Sequence, residues 1–295
     1  MKAPALAWKP LSPYVWLLPA CAVLGAVFVY PWAWSLWLSF HSWNVAVEDV
    51  PTYVGLKNYF DILRDRLFWL ALQNSVLLIV VSVVAQTALG LVYAVLLDSG
   101  VRARQFFLTA VMLPFVLAPV MVGLAWKILL QDQFGLINYY LRRLGLGAPQ
   151  WLSDPSFTMV TIIGLEIWQY TPFVILFLYA GLQAIPNEIR ESARVDGASA
   201  VQMFRFITVP HLMSLILIVV LFRVIFALRT FDVVYTLFKS GGPGNAGMVL
   251  GVYLYEELKV SWELGKASAI SYVILILTLV LSASLTWRTT GADAR

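Results

Sequence analysis

The chain is 295 residues long, 61% hydrophobic, only 12% charged, and carries a formal net charge of +4. Soluble domains hold roughly 25% charged residues, so this composition excludes a water-soluble globular protein and requires lipid as solvent. The mild basicity comes from scattered Lys and Arg without an interleaved aromatic cluster, which excludes nucleic acid as a partner and fits positive-inside topology.

Runs of about 20 mostly apolar residues read as spanning helices. In chain order they fall near 14–40, 69–97, 106–130, 158–182, 212–238 and 266–287. The expected fold class is therefore all-α: a polytopic membrane protein of about six helices, one transmembrane domain over 1–295, with both termini on one side. Trp8, Trp32, Trp34, Trp37, Trp43, Trp69, Trp151 and Trp287 lie at or near the predicted ends, as an aromatic belt does.

The first run contains the single cysteine, Cys21, in the string "LPAC". The apolar run continues well past it, unlike a cleaved signal, so Cys21 reads as a thiol buried in the first span. One cysteine leaves no disulfide framework and no CxxC metal site. His41 and His211 are far apart and form no ligand pair, so no metal site is expected. After the first span, "LKNYFDILRD" is a short amphipathic piece suited to the membrane surface, as is "FGLINYYLRRLGL" after the third.

Placing the termini in the cytoplasm puts Lys2, Lys9, Arg102, Arg104, Arg190, Arg194, Arg205, Arg288 and Arg295 on that side. The other side then holds Lys57, Arg64, Arg66, Arg142, Arg143, Lys239 and Lys259, together with most of the acids. The basic excess is small but has the cytoplasmic sign.

Ionisable groups inside a span are costly and point to function by default. The fourth span offers Glu166, Gln169, Tyr170 and Phe173 at i, i+3, i+4 and i+7, one helical face. A carboxylate, an amide and two rings suit a sugar, with hydrogen-bond partners for hydroxyls and flat surfaces for its C–H face. Pro172 frees the Trp168 carbonyl and can kink the helix there. In the fifth span Phe226, Arg229 and Thr230 share a face, with Arg223 one turn before. Glu166 has two candidate partners across the bundle, Arg223 and Arg229.

Between these spans lies a charged island, "NEIRESARVDGASAVQMFRFITVPH". Pro186 ends the preceding helix and Asn187 can cap a new one. Gly197 can take the left-handed geometry that closes it. Ser199 and Gln202 have capping-box spacing for a second helix, and Pro210 marks the junction into the fifth span. The expectation is a loop over 184–210 made of two short helices around a tight turn. After the fifth span, "GGPGN" lacks the G-x-x-x-x-G-K-[ST] spacing of a phosphate-binding loop, and Pro243 removes a donor such a loop would use, so it reads as an outer turn.

Glu191-Ser192-Ala193, three residues, Gly197, nine residues, then Ile207-Thr208-Val209-Pro210 resembles the EAA-loop signature of ABC importer permeases. Ser192 stands for the first alanine and Val209 for the leucine, both conservative departures. "GLQAIPNEIRESARVDGAS", "SGGPGNAG" and "WLSDPSFTMV" resemble maltose- and glycerol-phosphate-type carbohydrate permeases, and the likeness runs from about residue 13 to 287.

The resemblance implies a carbohydrate permease subunit in the cytoplasmic membrane of a prokaryote, working by alternating access. Its implied partners are a second homologous permease, two copies of a cytoplasmic ABC ATPase, an extracytoplasmic substrate-binding protein and lipid. ATP and Mg would be used by the ATPase, with no cofactor and no catalytic residue in this chain. Glu191, Ser192, Ala193, Asp196, Gly197, Ile207 and Pro210 are the implied coupling residues, and the loop faces the cytoplasm. Glu166, Gln169, Tyr170, Phe173, Phe226, Arg229 and Thr230 are the expected substrate-pathway residues. A stand-alone secondary transporter or channel would instead need inverted repeats and a coupling-ion site, and no convincing halves occur. An intramembrane enzyme would need a nucleophile–base or metal pair, which this sequence lacks.

Overall fold

The computed structural model describes residues 13–292. Trp8, Lys2, Lys9 and Arg295, assigned above to the belt or the basic side, lie outside the described residues, as do the side chains of Trp287 and Arg288. The first apolar run forms α1 (Pro13–Leu24), a single π-helical turn (Gly25–Val29) and α2 (Tyr30–Ser39). A two-residue hairpin follows, β1 (His41–Ser42) antiparallel to β2 (Thr52–Tyr53), then α3 (Lys57–Arg64) and the long α4 (Arg66–Asp98). Next come α5 (Arg104–Val116), α6 (Pro119–Leu129), α7 (Leu136–Arg143) and α8 (Pro155–Gln183). The second half holds α9 (Asn187–Val195), α10 (Ala200–Met203), α11 (Val209–Leu228), α12 (Asp232–Phe238), α13 (Leu250–Tyr255) and α14 (Leu264–Ala292).

Five helices among the described residues are long and apolar enough to cross a membrane, and six if α5 and α6 count as one bent span. This is the helical membrane architecture that composition demands. Asp65 and Asp154 cap the two longest internal helices, accepting bonds from the backbone N–H of Leu67 and Ser156 at 2.8 Å each. These are the orphan donors that helix starts leave open.

Two predicted spans are not straight. The third breaks into α5 and α6, whose axes meet at 93°. Leu117 and Ala118 are extended, with ψ of 137° and 135°, because Ala118 precedes Pro119 and that position disfavours helical backbone. The fifth span stops at Leu228. Residues 229–231 leave the helix and α12 starts anew at Asp232.

Chain segments fall into two compact units. In the first, which joins residues 13–62 to 257–272, Asn58 donates to the carbonyls of Ser39 and His41 at 2.9 Å each, and Tyr272 donates to that of Trp32 at 2.6 Å. Cys21 in α1 is exposed on the chain's surface and not packed inside it, which corrects the expectation of a buried thiol. Around it α1 shows lipid-compatible apolar residues such as Leu17, Leu18 and Val23 to the outside.

The second unit centres on α4 against α8, joined by α11. Ala94, Val174, Ile175, Leu178, Leu182, Leu212 and Val219 make its main core. A smaller core joins Leu130, Leu165, Val233 and Leu237, where α12 lies on α6. Close approach of α4 to α8 requires Gly90, since a Cβ there would sit 2.5 Å from Val174 Cγ1. Overpacking a tight core costs about 1–3 kcal/mol, so Gly90→Leu is expected to lower the unfolding temperature of the detergent-purified chain. An unchanged temperature would show that the two helices are not in contact at that level.

Candidate functional site

The polar residues of the fourth and fifth spans meet inside the second unit. Arg223 on α11 is fully buried, and its Nη2 donates to Glu166 Oε1 on α8 at 2.7 Å. Its Nε donates to Gln86 Oε1 on α4 at 2.8 Å. Gln86 closes the ring by donating through Nε2 to the backbone carbonyl of Glu166 at 2.8 Å. The guanidinium also lies 4.2 Å from the centre of the Tyr170 ring. Of the two candidate partners for Glu166, Arg223 is the one it bonds.

This clasp ties three helices at one level. An isolated charge buried here would be prohibitive, whereas a hydrogen-bonded opposite pair is tolerated. Thr230 lies in the break just after α11, half-buried.

Gln169 is turned to a different task. Its Nε2 donates to the Leu117 carbonyl at 3.3 Å, in the extended link between α5 and α6. Backbone that leaves a helix inside a membrane must find partners in the protein, and this amide supplies one. Polar side chains of α4 do the same for the stretch before α13. Asn74 donates to the carbonyls of Ala246 and Met248, and Ser75 Oγ accepts from the Leu250 N–H at 2.9 Å. Lys127 on α6 donates to the Thr236 carbonyl at 3.1 Å in the last turn of α12, where the helix dipole favours a cation.

Aromatic rings lie next to the clasp. Phe173 contacts Phe226 edge-on at 6.0 Å between centroids, and Phe115 at 5.6 Å. Phe226 and Arg229 are exposed, and Tyr170 and Thr230 are half-buried. Glu166, Gln169 and Phe173 are buried. Gln86 escaped the sequence reading. A glutamine in the middle of an apolar helix, well away from Gln73 near its start, was the available signal.

The island is a hairpin. α9 ends in a Schellman closure: Ala198 N–H bonds the Ala193 carbonyl at 2.9 Å and Gly197 N–H that of Arg194 at 3.1 Å, with Gly197 at φ +77°. Ser199 and Gln202 form the full capping box, with bonds of 2.7 and 3.3 Å. Two details differ from expectation. Asn187 is the first helical residue and makes no cap bond, because Pro186 takes the cap position with extended backbone. Pro210 does mark the junction, lying in the first turn of α11, but without a break in the helix, since α10 runs through a π-helical turn (Phe204–Thr208) straight into α11. Proline in the first turn of α11 costs little, its missing N–H being absorbed by the wider turn.

Glu191, Ser192, Asp196, Gly197 and Pro210 are exposed, while Ala193 and Ile207 are half-buried. Apolar side chains flank the tip: Val195 is 87%, Val201 75% and Phe206 67% exposed. Arg190 on α9 reaches back to Asp98 at the end of α4, at 2.5 Å. Among the described residues no group of three or more His, Cys, Asp or Glu could hold a metal ion.

Residues 86–290 match the family model described as "Binding-protein-dependent transport system inner membrane component". The chain is 36% identical over 280 residues to a probable ABC transporter permease protein, y4oQ, of Sinorhizobium fredii, covering 94% of this chain and 90% of that one. It is 33% identical over 282 residues to the trehalose/maltose transport system permease protein MalF of Thermococcus litoralis, covering 96% and 94%. Among solved structures, a chain of a bacterial alginate ABC transporter, in complex with alginate pentasaccharide-bound periplasmic protein, shares the fold. The TM-score is 0.79 at 22% identity, over 92% of each chain.

Removing one partner of a buried ion pair costs about 3–5 kcal/mol, because it strands the other. Arg223→Met is therefore expected to lower the unfolding temperature sharply in detergent. The double variant Arg223→Met with Glu166→Gln should recover most of that loss. A single variant as stable as the parent would contradict the clasp.

Proposed function

The chain belongs to the inner-membrane components of binding-protein-dependent transport systems, and on that premise we propose that it forms one half of the pathway of a carbohydrate importer. Members of this family are multi-pass permeases of the inner membrane, and the ATP is hydrolysed by a separate subunit. Complexes of this kind join a periplasmic binding protein to ABC transporter components.

In the proposed assembly a second homologous permease completes the pathway, and two copies of a cytoplasmic ATPase power it. The hairpin over 184–210 faces the cytoplasm and seats on one ATPase. Glu191, Ser192, Ala193, Asp196, Gly197, Ile207 and Pro210 form its coupling surface. The observation that carries this reading is the hairpin itself: closed at its turn by a Schellman motif and a capping box, yet presenting Val195, Val201 and Phe206 to the outside. Polar hairpins with exposed apolar tips mark protein contact surfaces.

A carbohydrate substrate is supported by the trehalose/maltose relative and by the chemistry beside the helix break. Tyr170, Phe173 and Phe226 offer rings, and Arg229 and Thr230 offer hydrogen-bond donors. Glu166 and Gln169 stand behind them and hold the wall. ATP-driven closure of the ATPase dimer would move the hairpin. The helices would then open outward, receive sugar from the binding protein and release it inward as the dimer reopens.

Two outcomes test this reading. A side chain at Gly197 would meet nothing within 4 Å in this chain, and Asp tolerates left-handed backbone at about 1–2 kcal/mol. Gly197→Asp should thus leave membrane insertion intact, yet abolish co-purification of the ATPase. Retained ATPase would place docking elsewhere. Arg229→Ala should reduce uptake of labelled maltose or trehalose, whichever the parent transports, by about tenfold, equal to ~1.4 kcal/mol, with basal ATPase unchanged. Unaltered uptake would remove Arg229 from the pathway.

A further inference from the structure

The hairpin has two legs, and they connect to the membrane helices differently. α10 passes into α11 without a break in helical backbone. α9 is joined to α8 through residues 184–186 and is held there by side chains. Those side chains converge on Asp98.

Asp98 is the last residue of α4, a 33-residue helix. A carboxylate there opposes the helix dipole, which favours cations at a C-terminus. Local helix stability gives no reason for it. Its two oxygens are instead taken by two other elements. Oδ2 accepts from Arg190 Nη1 of α9 at 2.5 Å, and Oδ1 accepts from Gln183 Nε2, the last residue of α8, at 2.5 Å. Arg190 Nη2 donates further to the Leu182 carbonyl at 2.5 Å, which also accepts from the Ile185 N–H at 3.3 Å as α8 ends. Leu97, Leu182 and Ile185 are buried immediately behind this cluster. Neither Asp98 nor Arg190 carries the exposed apolar tip.

We propose that Asp98 is a positioning residue that locks α9 to the ends of α4 and α8, so that displacement of the hairpin reaches α4 as well as α11. The proposal rests on the hairpin being the ATPase-coupling element. A carboxylate whose two oxygens are bonded from two different helices, one bond charge-assisted, resists both sliding and tilting. Without it, α9 would hang from the short 184–186 link alone, and its motion would enter the bundle only through α11. Asp98 does not touch the ATPase in this scheme. It sets whether docking is converted into movement of the α4–α8 body.

The test uses the assembled complex with spin labels at Val80→Cys on α4 and Glu188→Cys on α9, in a Cys21→Ser background. Both labelled positions are exposed. Distances are measured without nucleotide and after trapping with ATP and vanadate. With Asp98 present, one narrow distance peak should persist unshifted in both states. Asp98→Asn should retain the ATPase on purification, yet the narrow peak should be lost on trapping. The paired reversal Asp98→Arg with Arg190→Asp should restore it. A narrow, unshifted peak in Asp98→Asn would overturn the proposal. So would loss of the ATPase in that variant, which would make Asp98 part of the docking surface. If the parent chain retained no ATPase, the importer reading itself would fail, a separate result.

Discussion

The arrangement of the second unit depends on one buried interaction, the ring formed by Gln86, Arg223 and Glu166. Arg223 has no solvent exposure and Glu166 only 3%. Two full charges in a dry helical bundle persist only when paired and hydrogen-bonded, and even then they add little net stability. They add definition. Sliding α11 by one residue against α8 would turn the guanidinium away from its acceptors, so the register of three helices is fixed together. That register decides where α11 ends, and hence where Arg229 and Thr230 emerge.

The same reasoning explains why a bundle this apolar can hold broken helices. The α5–α6 bend, the stretch before α13 and the last turn of α12 all leave backbone groups outside helical ladders. Gln169, Asn74, Ser75 and Lys127 each answer one of them, from α8, α4 or α6. Polar residues within the apolar runs are thus mostly spoken for by backbone. Phe226 and Arg229, beside the break, are left exposed.

Much of this was legible in the sequence, and the misses share a cause. Composition alone dictated the helical membrane fold. Local chemistry gave the hairpin, because a capping box and a left-handed glycine act within a few residues of themselves. The i, i+3, i+4 spacing correctly brought the fourth- and fifth-span polar groups to facing helices. Choosing between Arg223 and Arg229 for Glu166 required the helix register, which only tertiary packing sets. The bend at Ala118–Pro119 was readable from the proline rule, but the break at 229–231 carries no proline or glycine, and its cause is tertiary. Asp98 acquires its partners only once α9 and α8 are folded against it.

The account's central claim is that this chain is a passive gate, clasped internally and moved from outside through its hairpin. The most direct measurement is an electron cryomicroscopy structure of the assembled complex trapped with ATP. Val195, Gly197 and Val201 should then be buried against the ATPase, with Arg223 still bonded to Glu166 and α10 still continuous with α11. A hairpin left open to solvent in that state would contradict it.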